Sequence, residues 1–158
     1  MSETSAMAEF RWIEAGAGIP VLCLHGLFGT SDHWEPVLEA LAPSYRAMAL
    51  TLPIFDTPPD DLSISGLRGY VEAFLDAERL PPAIVVGNSL GGHIALDLAL
   101  HAPERVRGLV LSGSSGLFER RSIAIRASPA IALTEIPPHT VPTVTLSLVW
   151  RGSRDRRS

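Results

Sequence analysis

The chain has 158 residues, 46% apolar and 19% charged, with a formal net charge of −4, enough for one ordinary domain with a buried core. Its 13 basic residues are all arginine and form no stripe interleaved with aromatics, so nucleic acid is not an expected partner. Apolar stretches are cut by Asp97, Glu135, glycines and prolines before the ~18 residues of a membrane span, residues 1–6 lack the basic-then-apolar pattern of a signal segment, and the lone Cys23 has no disulfide partner; a soluble, cytoplasmic protein is expected.

In chain order, residues 1–18 read as an N-terminal arm with an early strand at 10–14, and residues 21–24 as a buried strand. A helix follows from Ser31 or Asp32, with Glu35 completing a capping box to Asp32 and Trp34, Val37, Leu38 and Leu41 on one face. Residues 45–51 read as a strand, and the Pro-rich segment 52–59 as a loop. Leu67, Tyr70, Val71, Phe74 and Leu75 repeat the helical stripe. A strand at 83–86, a helix at 89–101 and a strand at 106–111 complete the pattern. Strands alternating with helices of this length imply a doubly wound, mostly parallel sheet with right-handed crossovers.

Two turns in this pattern carry chemistry. The first is Gly87-Asn88-Ser89-Leu90-Gly91, between an apolar strand and a helix rich in small residues. A serine hydroxyl is a weak nucleophile unless it is lifted clear of the backbone toward a base and beside amide donors, and a Gly-x-Ser-x-Gly elbow does this. Side chains at Gly87 and Gly91 would collide with the turn or with the close strand–helix contact. The second is His25-Gly26-Leu27-Phe28-Gly29, where another apolar run ends in glycines. In an open parallel sheet both turns fall beyond the carboxyl ends of the strands, where ligands bind.

With both turns in place, residues 19–118 resemble the α/β-hydrolase superfamily of the serine-nucleophile type, with His-Gly after the first core strand and a Gly-x-Ser-x-Gly elbow. The resemblance implies an α/β-hydrolase fold and hydrolysis of an ester-like or carbon–carbon bond through an acyl-enzyme. It implies Ser89 as nucleophile, the backbone amides of Leu27 and Leu90 as oxyanion donors, and His25, Gly26, Gly87 and Gly91 as supporting residues, with His25 orienting its loop rather than acting as base. It implies a small-molecule substrate and neither cofactor nor metal. Relatives with a carboxylate nucleophile are disfavoured because position 89 is serine.

The remaining triad members do not emerge. His93 reads as a packing residue on the elbow helix, His101 as the positive end of that helix, and Asp97 and Glu104 as helix charges. His139 follows Pro137-Pro138 with no recognisable strand before it, and Glu119, Glu135 and Asp155 fit no better. Residues 1–118 carry 6 Arg against 14 acids, whereas residues 119–158 carry 7 Arg against 3. That shift marks 119–158 as an atypical Pro/Arg-rich tail, read as a truncated or frame-shifted end in place of the cap and last strands, with one strand at 143–150. On this reading the sheet is incomplete, and the strand at 106–111 becomes an open apolar edge prone to self-association. The alternative function is a catalytically dead remnant that serves as a ligand-binding scaffold.

Overall fold

The computed structural model describes residues 9–113, 131–135 and 146–151. Alternation along the strands explains its layering, since successive side chains of a strand point to opposite faces. In β2 (Ile19–Leu24) and β3 (Tyr45–Leu50), Leu22, Leu24, Met48 and Leu50 turn to one side, and Val21, Cys23, Ala47 and Ala49 to the other. Both sets are buried, as the strands of a parallel sheet covered on two faces must be.

β4 (Ala83–Asn88) pairs parallel with β2, and β5 (Val106–Ser112) pairs parallel with β4. At one side β1 (Trp12–Ala15) runs antiparallel to β3. At the other, β7 (Leu146–Arg151) runs antiparallel to β5, and β6 (Ile131–Glu135) antiparallel to β7. The order is β1-β3-β2-β4-β5-β7-β6, a parallel centre with antiparallel flanks.

The helices divide between the faces. α1 (Glu35–Leu41) places Leu38 on the side of Val21, Cys23, Ala47 and Ala49. α2 (Ile64–Ala77) and α3 (Leu90–His101) cover the other, through Leu67, Val71, Phe74 and Leu75 and through Ile94, Ala95 and Leu98. The stripe read from the sequence for α2 is therefore its core face, with Tyr70 at the margin. Ser63 caps α2 by accepting a hydrogen bond from the Gly66 amide at 3.0 Å, which satisfies one of the amides that a helix start leaves unpaired. Phe74 is fully buried beneath the rings of Phe10 and Trp12, at centroid distances of 5.4 Å to each.

Four sequence expectations need correction. The early strand lies two residues later than 10–14 at its start, because Phe10 packs on Tyr70 and Phe74 instead of entering the ladder. Asp32 and Glu35 form no capping box: Asp32 lies inside a 3₁₀ turn (Ser31–Trp34) that begins after Thr30, and α1 starts at Glu35 with Pro36 in its first turn, where a missing N–H costs nothing. The tail strand is Leu146–Arg151, and Ile131–Glu135 is a strand that periodicity alone did not mark. β5 is consequently not an open edge, since β7 pairs with it antiparallel and so needs no crossover helix. The expectations for residues 1–8 and for the rest of the tail, including Glu119, His139 and Asp155, fall outside the described residues.

Truncating Phe74 would remove the largest fully buried side chain at the junction of α2 and β1. Phe74→Ala is expected to lower the free energy of unfolding by about 3–5 kcal/mol. Urea denaturation of the variant beside the parent measures this, and a loss below about 1 kcal/mol would contradict the packing described.

Candidate active site

Ser89 joins β4 to α3, and its backbone takes φ 51°, ψ −115°. An L-residue with a Cβ rarely occupies that region, so it persists only where the surroundings hold it. Two backbone bonds do so. The Ser89 amide donates to the Ser112 carbonyl at the end of β5 at 3.0 Å, and the His93 amide donates to the Ser89 carbonyl at 3.2 Å. The residue read as a nucleophile is thus the strained residue of a strand-to-helix turn, half-buried at the carboxyl end of the sheet.

The glycines around it are explained by what a side chain would meet. A Cβ on Gly91 would strike the carbonyl oxygen of Leu24, with that of His25 at 2.6 Å; a Cβ on Gly87 would strike the Gly91 carbonyl, with the Gly92 Cα at 2.5 Å. These positions let α3 start directly against the ends of β2 and β4. Gly26 lies close to Ser89 itself, because a Cβ there would stand 3.3 Å from the Ser89 Cβ and 3.4 Å from the Asn88 Oδ1. The His25-Gly26-Leu27 turn and the elbow therefore lie against each other, as their shared place at the sheet end required.

His25 is 3% exposed, and both of its ring nitrogens are engaged. Nε2 accepts a hydrogen bond from the Leu52 amide at 2.9 Å, which leaves Nδ1 to carry the proton and donate to the Gly26 carbonyl at 2.7 Å. The same carbonyl accepts from the Gly29 amide at 3.0 Å, closing a turn whose own bond does not use the Leu27 amide. Burial lowers the His25 pKa, opposed by the bond to Gly26 and helped least by the nearby His33. His25 is thus a neutral clamp between the loop after β2 and the loop after β3. Leu90 is the first residue of α3, so its amide is among those without an acceptor inside the helix.

The other candidates separate by place. Asp97 receives Arg68 Nε at 2.9 Å, and Arg68 also meets Glu72 at 3.1 Å, a link between α2 and α3. His101 Nδ1 donates to the Asp97 carbonyl at 2.9 Å and lies 3.2 Å from its carboxylate. Among the described residues this is the one histidine–carboxylate pair within 4 Å, and it sits at the far end of a 12-residue helix, about 18 Å from Ser89 along the axis. His93 lies half-buried one turn into α3. Glu104 lies in the 3₁₀ turn that follows α3, and Glu135 ends β6. Cys23 is a buried free thiol whose pKa burial pushes up to about 12, inert as a nucleophile. No group of three or more His, Cys, Asp or Glu residues fit to hold a metal ion occurs among the described residues, and no described helix is long and apolar enough to cross a membrane.

Comparison with known proteins places this geometry. The family model of the alpha/beta hydrolase fold matches residues 19–145, past the point near Phe118 where the recognisable motifs end. The pimeloyl-[acyl-carrier protein] methyl ester esterase of Nitrosomonas europaea is 38% identical over 117 residues, covering 73% of this chain and 45% of that protein. The 2-hydroxymuconate semialdehyde hydrolase of a Pseudomonas species is 38% identical over 115 residues, 66% of this chain and 39% of that one. Among solved structures, an alpha/beta hydrolase enzyme from the sediment metagenome of the Mar Chica lagoon, Morocco, superposes with a TM-score of 0.66 at 35% identity, covering 71% of this chain and 52% of that chain. The chain thus spans less than half the length of these curated relatives.

Two outcomes follow from the geometry. A positive φ at Ser89 penalises any Cβ, so Ser89→Gly is expected to be about 1 kcal/mol more stable than Ser89→Ala; equal urea midpoints would remove the strain argument. For His25 the folded pKa is lowered, so the unfolded chain takes up the proton first as pH falls below about 6.5. Its stabilising contribution is therefore present above that pH and lost progressively below it. Urea midpoints at pH 8 and 5.5 should fall further for the parent than for His25→Gln; parallel shifts in the two proteins would refute the clamp.

Proposed function

The chain belongs to the α/β-hydrolase fold family, and from that premise we propose that it hydrolyses an ester-like or carbon–carbon bond adjoining a carbonyl, with Ser89 as nucleophile. The observation that carries this reading is the strained Ser89 turn with the Gly26 loop packed against its Cβ. A methyl ester esterase and a semialdehyde hydrolase among the relatives support attack at a carbonyl carbon.

In this mechanism the Ser89 Oγ bonds to the carbonyl carbon as its proton passes to a base, and the carbonyl oxygen becomes an oxyanion facing the amides of Leu27 and Leu90. The proton then returns to the leaving group as its bond to the carbonyl carbon breaks. Water adds to the acyl-serine by the same proton path and releases the acid. His25 does not act as base, because both its nitrogens are spent on backbone groups. His101 stands at the wrong end of α3. The proton carrier is assigned to a group outside the described residues, such as His139 or a histidine of a partner chain.

A second reading, a ligand-binding scaffold without turnover, is favoured by one observation: the His101–Asp97 pair is remote from Ser89, and no other such pair occurs among the described residues. Labelling with a fluorophosphonate separates the two. The hydrolase reading expects covalent labelling of the folded parent and none of Ser89→Ala, together with release of p-nitrophenol from short p-nitrophenyl esters. A cooperatively folded parent that neither labels nor releases p-nitrophenol would leave the scaffold reading standing.

A further inference from the structure

Asn88 precedes the nucleophile and is exposed at the mouth of the site. Its Nδ2 donates to the Ser112 carbonyl at 3.2 Å, the same carbonyl that receives the Ser89 amide at 3.0 Å. Its Oδ1 faces the other way, 3.4 Å from the position a Cβ on Gly26 would take. That amide group thus ties the elbow to the point where β5 ends at Ser112 before Gly113 turns off at φ 52°. β4 and β5 pair Asn88 with Ser112 in register, so the side chain reaches a carbonyl whose place the sheet already holds.

From this arrangement we infer that Asn88 is a positioning residue for the nucleophile, its Nδ2–H fixing the elbow to the end of β5. The inference deepens the hydrolase reading and rests on it for its kinetic consequence. The physical reason is that Ser112 O, holding two donors, opposes relaxation of the strained Ser89 backbone; a carbonyl has two lone pairs and accommodates both. A small sideways shift of the elbow would misplace Oγ relative to the amides of Leu27 and Leu90, and such displacements lower rates steeply.

The test uses three variants. Asn88→Leu keeps the shape and removes the donor. Asn88→Asp replaces the donor with an acceptor facing a carbonyl. Asn88→His restores an N–H at nearly the same distance from the backbone. Two readouts are taken for each: the second-order rate of fluorophosphonate labelling, and hydrogen–deuterium exchange of the peptide carrying the Ser89 amide. Loss of one neutral hydrogen bond corresponds to roughly a fivefold to tenfold change. Labelling is expected to slow by about that factor in Asn88→Leu and more in Asn88→Asp, with exchange of the elbow peptide faster by a similar factor. Asn88→His should recover most of both, and melting temperatures should stay close to the parent's. Exchange in Asn88→Leu equal to the parent's would overturn the positioning role, as would an equal loss in Asn88→Leu and Asn88→His. If the folded parent fails to label, the hydrolase reading falls, while the exchange series still decides what Asn88 does.

Discussion

Contact between α3 and the strand ends, made without any intervening side chain, is the constraint on which the site depends. The Gly91 Cα side lies against the carbonyls of Leu24 and His25, and that of Gly87 against Gly91 and Gly92. Any β-carbon at these points would push α3 outward. With glycine there, the helix begins at the mouth of the sheet, and the chain has one residue in which to turn from strand to helix. Ser89 takes that turn at positive φ. Its strain is therefore the geometric consequence of a close packing contact.

The same contact draws in the other half of the site. Because Gly91 touches the backbone of Leu24 and His25, the exit of β2 lies beside the elbow, and the next residue, Gly26, comes to rest against Ser89. A turn so placed needs to be held from its far side, and His25 supplies that hold by bonding the Gly26 carbonyl and the Leu52 amide at once. Only the neutral imidazole can do this, since one nitrogen must accept while the other donates. Burial supplies the matching electrostatics by disfavouring the charged form. Packing, tautomer and pKa thus agree on one role for this histidine, and that role removes it from proton transfer.

What was legible in the sequence follows from how local each signal is. The α2 stripe and the β2 and β3 alternations read out directly because burial on defined faces imposes a period. The elbow was legible because its glycines are demanded by contacts within a few residues and one adjacent strand. The start of α1 was misread because an Asp–Glu spacing matches a capping box whether or not the chain is extended at the Asp, and here Pro36 sets the start instead. β6 and β7 were poorly marked because antiparallel flanking strands are specified by their pairing with β5 and with each other more than by local pattern. The role of Asn88 left no sequence signal, since it depends on register between two strands more than twenty residues apart.

The geometry of the Ser89 turn traces to a small, contiguous set of elements. The Ser89 amide bonds to the end of β5 and its carbonyl to α3, and the close contacts at Gly87 and Gly91 come from the end of β2 and from α3. All of these elements lie between residues 19 and 112. These contacts on Ser89 therefore belong to the parallel centre of the sheet and α3, while β7 pairs with β5 on its outer side and β6 with β7. The turn at Ser89 is thus specified by the strand ends of the parallel centre and by α3, whatever else the rest of the sequence contributes.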